Sequence, residues 1–195
     1  MSEGLKRLVG SGQAMSRGLE PGDAGLPFEL PNANPSKGGE SISLADVVTD
    51  VGGIVIFTCN HCPYVIGNES RIASIAGRAR EAGIGFVGIN ANDPINYPSD
   101  NWDAMVNRSA KMSYAYLHDA SQEVATAWGA ERTPEFYLLN GEGIITYRGR
   151  LDDSPGDPSM ATTHELSDAV DAMLARESPT LARTDSIGCS IKWKR

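Results

Sequence analysis

Hydrophobic positions fall in two rhythms along this chain, and the change from one to the other marks its elements. Gly53-Ile54-Val55-Ile56-Phe57 is an unbroken β-branched and aromatic run, the pattern of a strand buried on both faces. Ile72, Ile75, Ala76 and Ala79 then recur at spacings of three and four, one face of a helix that Gly83 ends. Phe86-Val87-Gly88-Ile89 is a second strand. Asn90 to Asp100 reads as a loop, after which Ser99 is placed to cap a helix carrying Trp102, Met105 and Val106. Tyr114 to Leu117 is a third strand, followed by a short helix with Val124, Ala125 and Trp128 that stops at Gly129. Glu135 to Leu139 and Ile144 to Arg148 are strands joined by the hairpin turn Asn140-Gly141-Glu142-Gly143. A last helix runs from Met160 to Arg176. Trp102, Trp128, Met105 and Met173 fall on helical apolar faces and read as core.

Strands alternating with helices require a parallel core flanked on both faces, and the hairpin adds antiparallel strands. The fold class is therefore α/β, with a mixed central sheet. Residues 1–25 are Gly- and Ser-rich without periodicity and read as a mobile or loosely docked N-terminal arm. The folded domain spans residues 26–178. It begins with a short edge strand at Leu26 to Leu30 and a helical turn capped by Ser43. Residues 179–195 form a C-terminal tail, and Ile187, Ile191 and Trp193 predict that it docks on the domain.

A chain of 195 residues suits one domain with a sizeable core. The net charge of −8 argues against nucleic acid and anionic membrane as partners. Lys6 and Arg7 are not followed by an apolar run, so neither a signal peptide nor a membrane span is expected, and a cytoplasmic location is. In that reducing compartment three cysteines are not a structural disulfide framework.

The candidate chemistry lies at Cys59-Asn60-His61-Cys62-Pro63. Two cysteines separated by two residues follow a buried strand, and Pro63 fits the first turn of a helix. The reactive form of cysteine is the negative thiolate, which unpaired N–H groups at a helix start stabilise. Cys59 is expected at or just before that start as the attacking sulfur, with Cys62 as the resolving one. His61, when protonated, would favour the thiolate further. Zinc needs four ligands, and Cys189, His118 and His164 form no second spaced pair with the first; copper(I), satisfied by two or three thiolates, stays open. Cys189 has two readings, a second resolving thiol or a small buried hydrophobe holding the tail.

Phe57-Thr58-Cys59-Asn60-His61-Cys62-Pro63-Tyr64-Val65 resembles the active-site segment of the thioredoxin-like redoxins, and more closely the peroxiredoxin-like branch of the alkyl hydroperoxide reductase and thiol-specific antioxidant family. Thr133-Pro134-Glu135-Phe136 is similar to the loop that carries a cis-proline in the thioredoxin fold. Tyr147 to Asp153 and the tail Gly188 to Lys194 share the likeness, which runs in order from about Leu26 to Lys194. The resemblance implies a thioredoxin fold in which Pro134 is cis, faces the cysteines, and follows a backbone at Thr133 that pairs with substrate. It implies thiol–disulfide exchange without an organic cofactor, on a protein or small-molecule disulfide, with a thioredoxin- or glutathione-type reductant as partner. Thiol peroxidase activity is the alternative, and a non-enzymatic copper or zinc carrier a second. The peroxidatic pattern Pro-x-x-x-Thr/Ser-x-x-Cys is absent in both registers. Val55 and Cys59 stand in its places for Cys62, and Gly52 and Ile56 for Cys59, which argues against fast peroxide reduction.

Overall fold

The computed structural model describes residues 18–195, so most of the expected N-terminal arm, residues 1–17, lies outside the described residues. From residue 18 the chain is bonded to the body: the Leu19 N–H donates to the Trp128 carbonyl at 3.0 Å and the Gly25 N–H to that of Gly143 at 2.9 Å.

Five strands form the central sheet, in the order β5 (Ala115–His118), β4 (Gly85–Asn90), β3 (Gly52–Phe57), β7 (Glu135–Asn140), β8 (Ile145–Gly149). β3 runs parallel to β4, and β4 to β5; β7 lies antiparallel to β3 and β8 antiparallel to β7. All six residues of β3 are buried, as its unbroken apolar run requires. Alternate side chains serve the two layers. Ile54 and Ile56 meet Ile72, Ile75 and Ala79 of α3 (Glu69–Glu81) and Leu166, Ala169 and Val170 of α6 (Glu165–Leu174). Val55 and Phe57 face Phe28, Ile42, Val47 and Trp128, the last on α5 (Glu123–Trp128). Helices on both faces of a mixed sheet make this a thioredoxin fold.

A separate ribbon of β1 (Glu29–Pro31) and β2 (Ser41–Ser43) leads into α1 (Leu44–Val47), where Ser43 and Asp46 form a reciprocal capping box. Met173, expected as core, is only partly buried, and other expectations shift as well. Pro98–Asp100 form a single 3-10 turn, so the cap of α4 (Trp102–Ser109) is Asn101, whose Oδ1 accepts from the Ala104 N–H at 2.9 Å, and not Ser99. Trp102, at the first turn of α4, is 39% exposed instead of core, and its ring stacks on His118 at 6.0 Å. Trp128 and Met105 are fully buried. Among the described residues no helix is long and apolar enough to cross a membrane.

Candidate active site

β3 ends at Phe57, and the Thr58 N–H still reaches the Ile89 carbonyl of the neighbouring strand at 2.8 Å. The chain then turns through Cys59, Asn60 and His61 and enters α2 (Pro63–Ile66). The residue before the proline is kept extended, so Cys62 becomes the N-cap, with φ −69° and ψ 122°. The helix therefore starts at Pro63, as expected, with Cys59 three residues before the cap; a proline in the first helical position makes the residue before it the cap.

Three sulfurs gather around one residue. The Cys59 sulfur lies 3.3 Å from the Thr133 hydroxyl, and the Cys62 thiol donates to the Thr133 carbonyl at 3.2 Å. Thr133 belongs to a two-residue strand, β6 (Arg132–Thr133), and the Thr133–Pro134 bond is cis. Opposite Thr133, in antiparallel register, stands Cys189 of β9 (Cys189–Ser190). Cys189 packs against Cys59, Cys62 and Val65. All three cysteines are free thiols; Cys59 and Cys62 are 1% and 0% exposed, and Cys189 is half-buried.

The environments push these thiols apart. A hydrogen bond from the Cys59 thiol holds Cys62 well below the usual thiol range; burial opposes this, and the Cys189 thiol and N–H add to it. Cys59 moves far up, because it gives its proton towards Cys62, because it is buried, and because the Asp100 carboxylate is near; only the Thr133 hydroxyl and a Cys62 backbone contact oppose the rise. Cys189 is pushed up to about 11 by burial and by the hydrogen bond and charge of Cys62.

His61 stands beside Cys59 and is held there by Asp100. Its Nδ1 pairs with Asp100 Oδ2, and its ring stacks on Tyr97 at 5.7 Å and 5°. Asp100 is fully buried and accepts from the Asn60 N–H at 2.6 Å and from the Asn90 and Asn92 side-chain amides, both at 3.0 Å. The Tyr116 hydroxyl donates to the Asn60 side-chain oxygen at 2.8 Å. The cysteine turn is thus clamped by residues 90–100, the segment whose composition predicts only a loop. The available signal was a cluster of Asn and Asp directly after a parallel strand, at the strand end where sites concentrate. Ligand atoms of Cys59, His61 and Asp100 lie within 4.8 Å of one another, so a cation could be held there. Both Asp100 oxygens, however, already serve as acceptors for the turn.

The family model that matches is Redoxin, over residues 21–164. A candidate peroxiredoxin of Mycobacterium tuberculosis (strain H37Rv) is 27% identical over 127 residues, 65% of this chain and 74% of that protein. The crystal structure of an uncharacterised conserved protein from Geobacillus kaustophilus superposes with a TM-score of 0.83 at 35% identity, covering 90% of this chain and 93% of that one. A secreted disulfide oxidoreductase of Mycobacterium tuberculosis shares the fold alone, at a TM-score of 0.53 and 16% identity, over 76% of this chain and 95% of that one.

Proposed function

Because the chain belongs to the redoxin family, we propose that it is a thiol–disulfide oxidoreductase in which Cys62 attacks and Cys59 resolves. One observation carries this reading: Cys62 is the helix cap, and its sulfur lies 3.2 Å from the carbonyl that precedes Pro134. These roles reverse the expectation that Cys59, near the helix start, is the attacking sulfur. The Cys62 thiolate attacks a substrate disulfide, and one half leaves as a thiol. Cys59 then attacks the mixed disulfide; the second half leaves and a Cys59–Cys62 bond remains. Asp100 and His61 hold the turn that brings the two sulfurs together, and Thr133 and Pro134 form the opposing wall. A thioredoxin- or glutathione-type donor in the cytoplasm returns the pair to thiols.

The second reading is a thiol peroxidase, supported by the description of the Mycobacterium relative. In that case the Cys62 thiolate attacks the O–O bond, leaving a sulfenic acid and an alcohol or water, and Cys59 closes the disulfide with loss of water. The absent proline and hydroxyl positions favour exchange over this reading.

Glutathione titration with thiol trapping and mass spectrometry tests the proposal. A single reversible two-electron Cys59–Cys62 couple at about −270 to −200 mV is expected. A pair that forms no disulfide across the glutathione range overturns it. Steady-state consumption of hydroperoxide with a thioredoxin supply separates the second reading.

A further inference from the structure

The C-terminal tail does more than cover the site. Its backbone is bonded on both sides of the cysteine turn. On one side the Ile191 N–H donates to the Glu131 carbonyl at 3.0 Å, and Arg132 Nη1 reaches the Gly188 carbonyl at 3.1 Å. On the other, the Lys192 N–H donates to Asn92 Oδ1 at 2.8 Å, and the Lys192 carbonyl accepts from the Asp93 N–H at 2.8 Å and the Gln122 side-chain amide at 2.9 Å. Gly188 lies so close to β6 that a Cβ there would stand 2.1 Å from the Thr133 carbonyl oxygen. The tail is therefore seated as an added strand on the edge beside Cys62, and the register places a cysteine opposite Thr133. Anchoring alone does not explain that cysteine. Ile191, 3% exposed and within the main core, already holds the tail, whereas Cys189 keeps solvent exposure and lies against Cys62.

We propose that Cys189 is a third redox thiol, and that a Cys62–Cys189 disulfide is the first product when the chain meets an oxidised substrate. The proposal rests on Cys62 as the attacking sulfur. The Cys62 thiolate attacks R–S–S–R′; that S–S bond breaks, Cys62–S–S–R forms, and R′S⁻ leaves and takes a proton from water. Cys189, its proton given to solvent, attacks the Cys62 sulfur; the Cys62–Cys189 bond forms and RS⁻ leaves. Two electrons have then passed from the chain to the substrate. Cys59, covered where Cys189 keeps solvent exposure to release its proton, acts second. It attacks Cys62, forms the Cys59–Cys62 bond and releases Cys189 as a thiol, with no further change in electron count. The tail strand is in this sense a built-in substrate, and an external polypeptide reaches the same edge only by displacing it.

The test oxidises the reduced full-length protein with oxidised glutathione, quenches in acid at short times, alkylates and maps the cross-linked peptides. A Cys62–Cys189 peptide that rises first and decays into Cys59–Cys62 is expected, and Cys59→Ser should accumulate Cys62–Cys189. Gly188→Ala should lower the Cys62–Cys189 yield about tenfold, because effective concentration falls when geometry is spoiled. Cys189→Ser leaves the tail seated and should lengthen the life of the glutathione adduct on Cys62 by a similar factor. If Cys59→Ser yields only that adduct, or if the adduct decays equally fast in Cys189→Ser, the proposal is overturned. Failure of the underlying reading looks different, because then the first glutathione adduct maps to Cys59, or the unaltered protein forms neither disulfide.

Discussion

At the scale of single residues, Thr133 is the common neighbour of every sulfur: its hydroxyl meets Cys59, its carbonyl meets Cys62, and its ladder partner is Cys189. Three identical groups thereby acquire different proton affinities, chiefly through burial and through one another, with Lys192 pulling Cys189 slightly down. The largest influence on Cys62 is the Cys59 thiol, so Cys59→Ala should raise the point at which Cys62 ionises. A hydrogen bond to a charged group contributes about 1.5–3 kcal/mol, which corresponds to roughly one to two pH units. In the unaltered protein, alkylation of Cys62 by iodoacetamide should persist well below the ordinary thiol range and fall only as acid protonates the sulfur. In Cys59→Ala the whole rate–pH profile should move up by that amount, and an unmoved profile would sink the assignment. The identity of this pair was legible from Cys59-Asn60-His61-Cys62 alone. The partners were not, because Asp100 reaches Asn60 and His61 from about forty positions away, and no local spacing reports such a contact.

At the scale of elements, the strand–turn–helix junction presents Cys62, and the segment from Asn90 to Asn101 holds the turn against it. The buried Asp100 closes a 3-10 turn just before Asn101 caps α4, so the cap and the clamp are neighbours in one short stretch. Asn101→Ala removes the acceptor for the Ala104 N–H and should cost about 1 kcal/mol. In a domain of this size that lowers Tm by about 2–4 °C, which a thermal scan by circular dichroism would show. Because Asp100 is adjacent, disulfide exchange should slow as well; a variant with unchanged Tm would show that the cap contributes nothing. Long apolar rhythms made β3, α3, β4 and the β7–β8 hairpin readable, since burial enforces those periods directly. Ends were harder. The last helix starts at Glu165 and not at Met160, because Pro158–Met160 is a separate 3-10 turn and Asp153 takes the N–H groups of Thr162 and Thr163. The two-residue strands β6 and β9 were beyond the reach of periodicity, since such short segments have none.

At the scale of the whole molecule, one buried guanidinium joins the parts that make the site. Arg148 of β8 bonds the Glu135 carboxylate at 2.8 Å, Glu20 at 3.0 Å, the Leu19 carbonyl at 2.9 Å and the Gly129 carbonyl at 2.6 Å. Its charge also lies 5.1 Å from the centre of the Tyr137 ring. Glu135 in turn accepts from the Glu131 and Arg132 N–H groups at 2.8 and 3.2 Å, so Arg148 supports the strand that carries Thr133. Both side chains are nearly fully covered, at 3% and 1% exposure. A buried pair of this kind adds little over a well-packed apolar pair, but removing one partner strands the other, at a cost of about 3–5 kcal/mol. Arg148→Ala should therefore lower Tm by on the order of ten degrees, taking the shift per kcal/mol for a domain of this size. The combined change Arg148→Met with Glu135→Gln leaves no buried charge unpaired at that position, and should recover a measurable part of the loss. Thermal scans of the two variants decide the matter. If Arg148→Ala unfolds with the unaltered protein, the network is incidental; if the double variant is the worse of the two, an unpaired Glu135 charge is not the source of the loss. Exchange kinetics at a temperature where both variants are folded then separate support of β6 from global stability. Slow Cys62 turnover in folded Arg148→Ala would place the origin of the site's geometry on the far edge of the sheet.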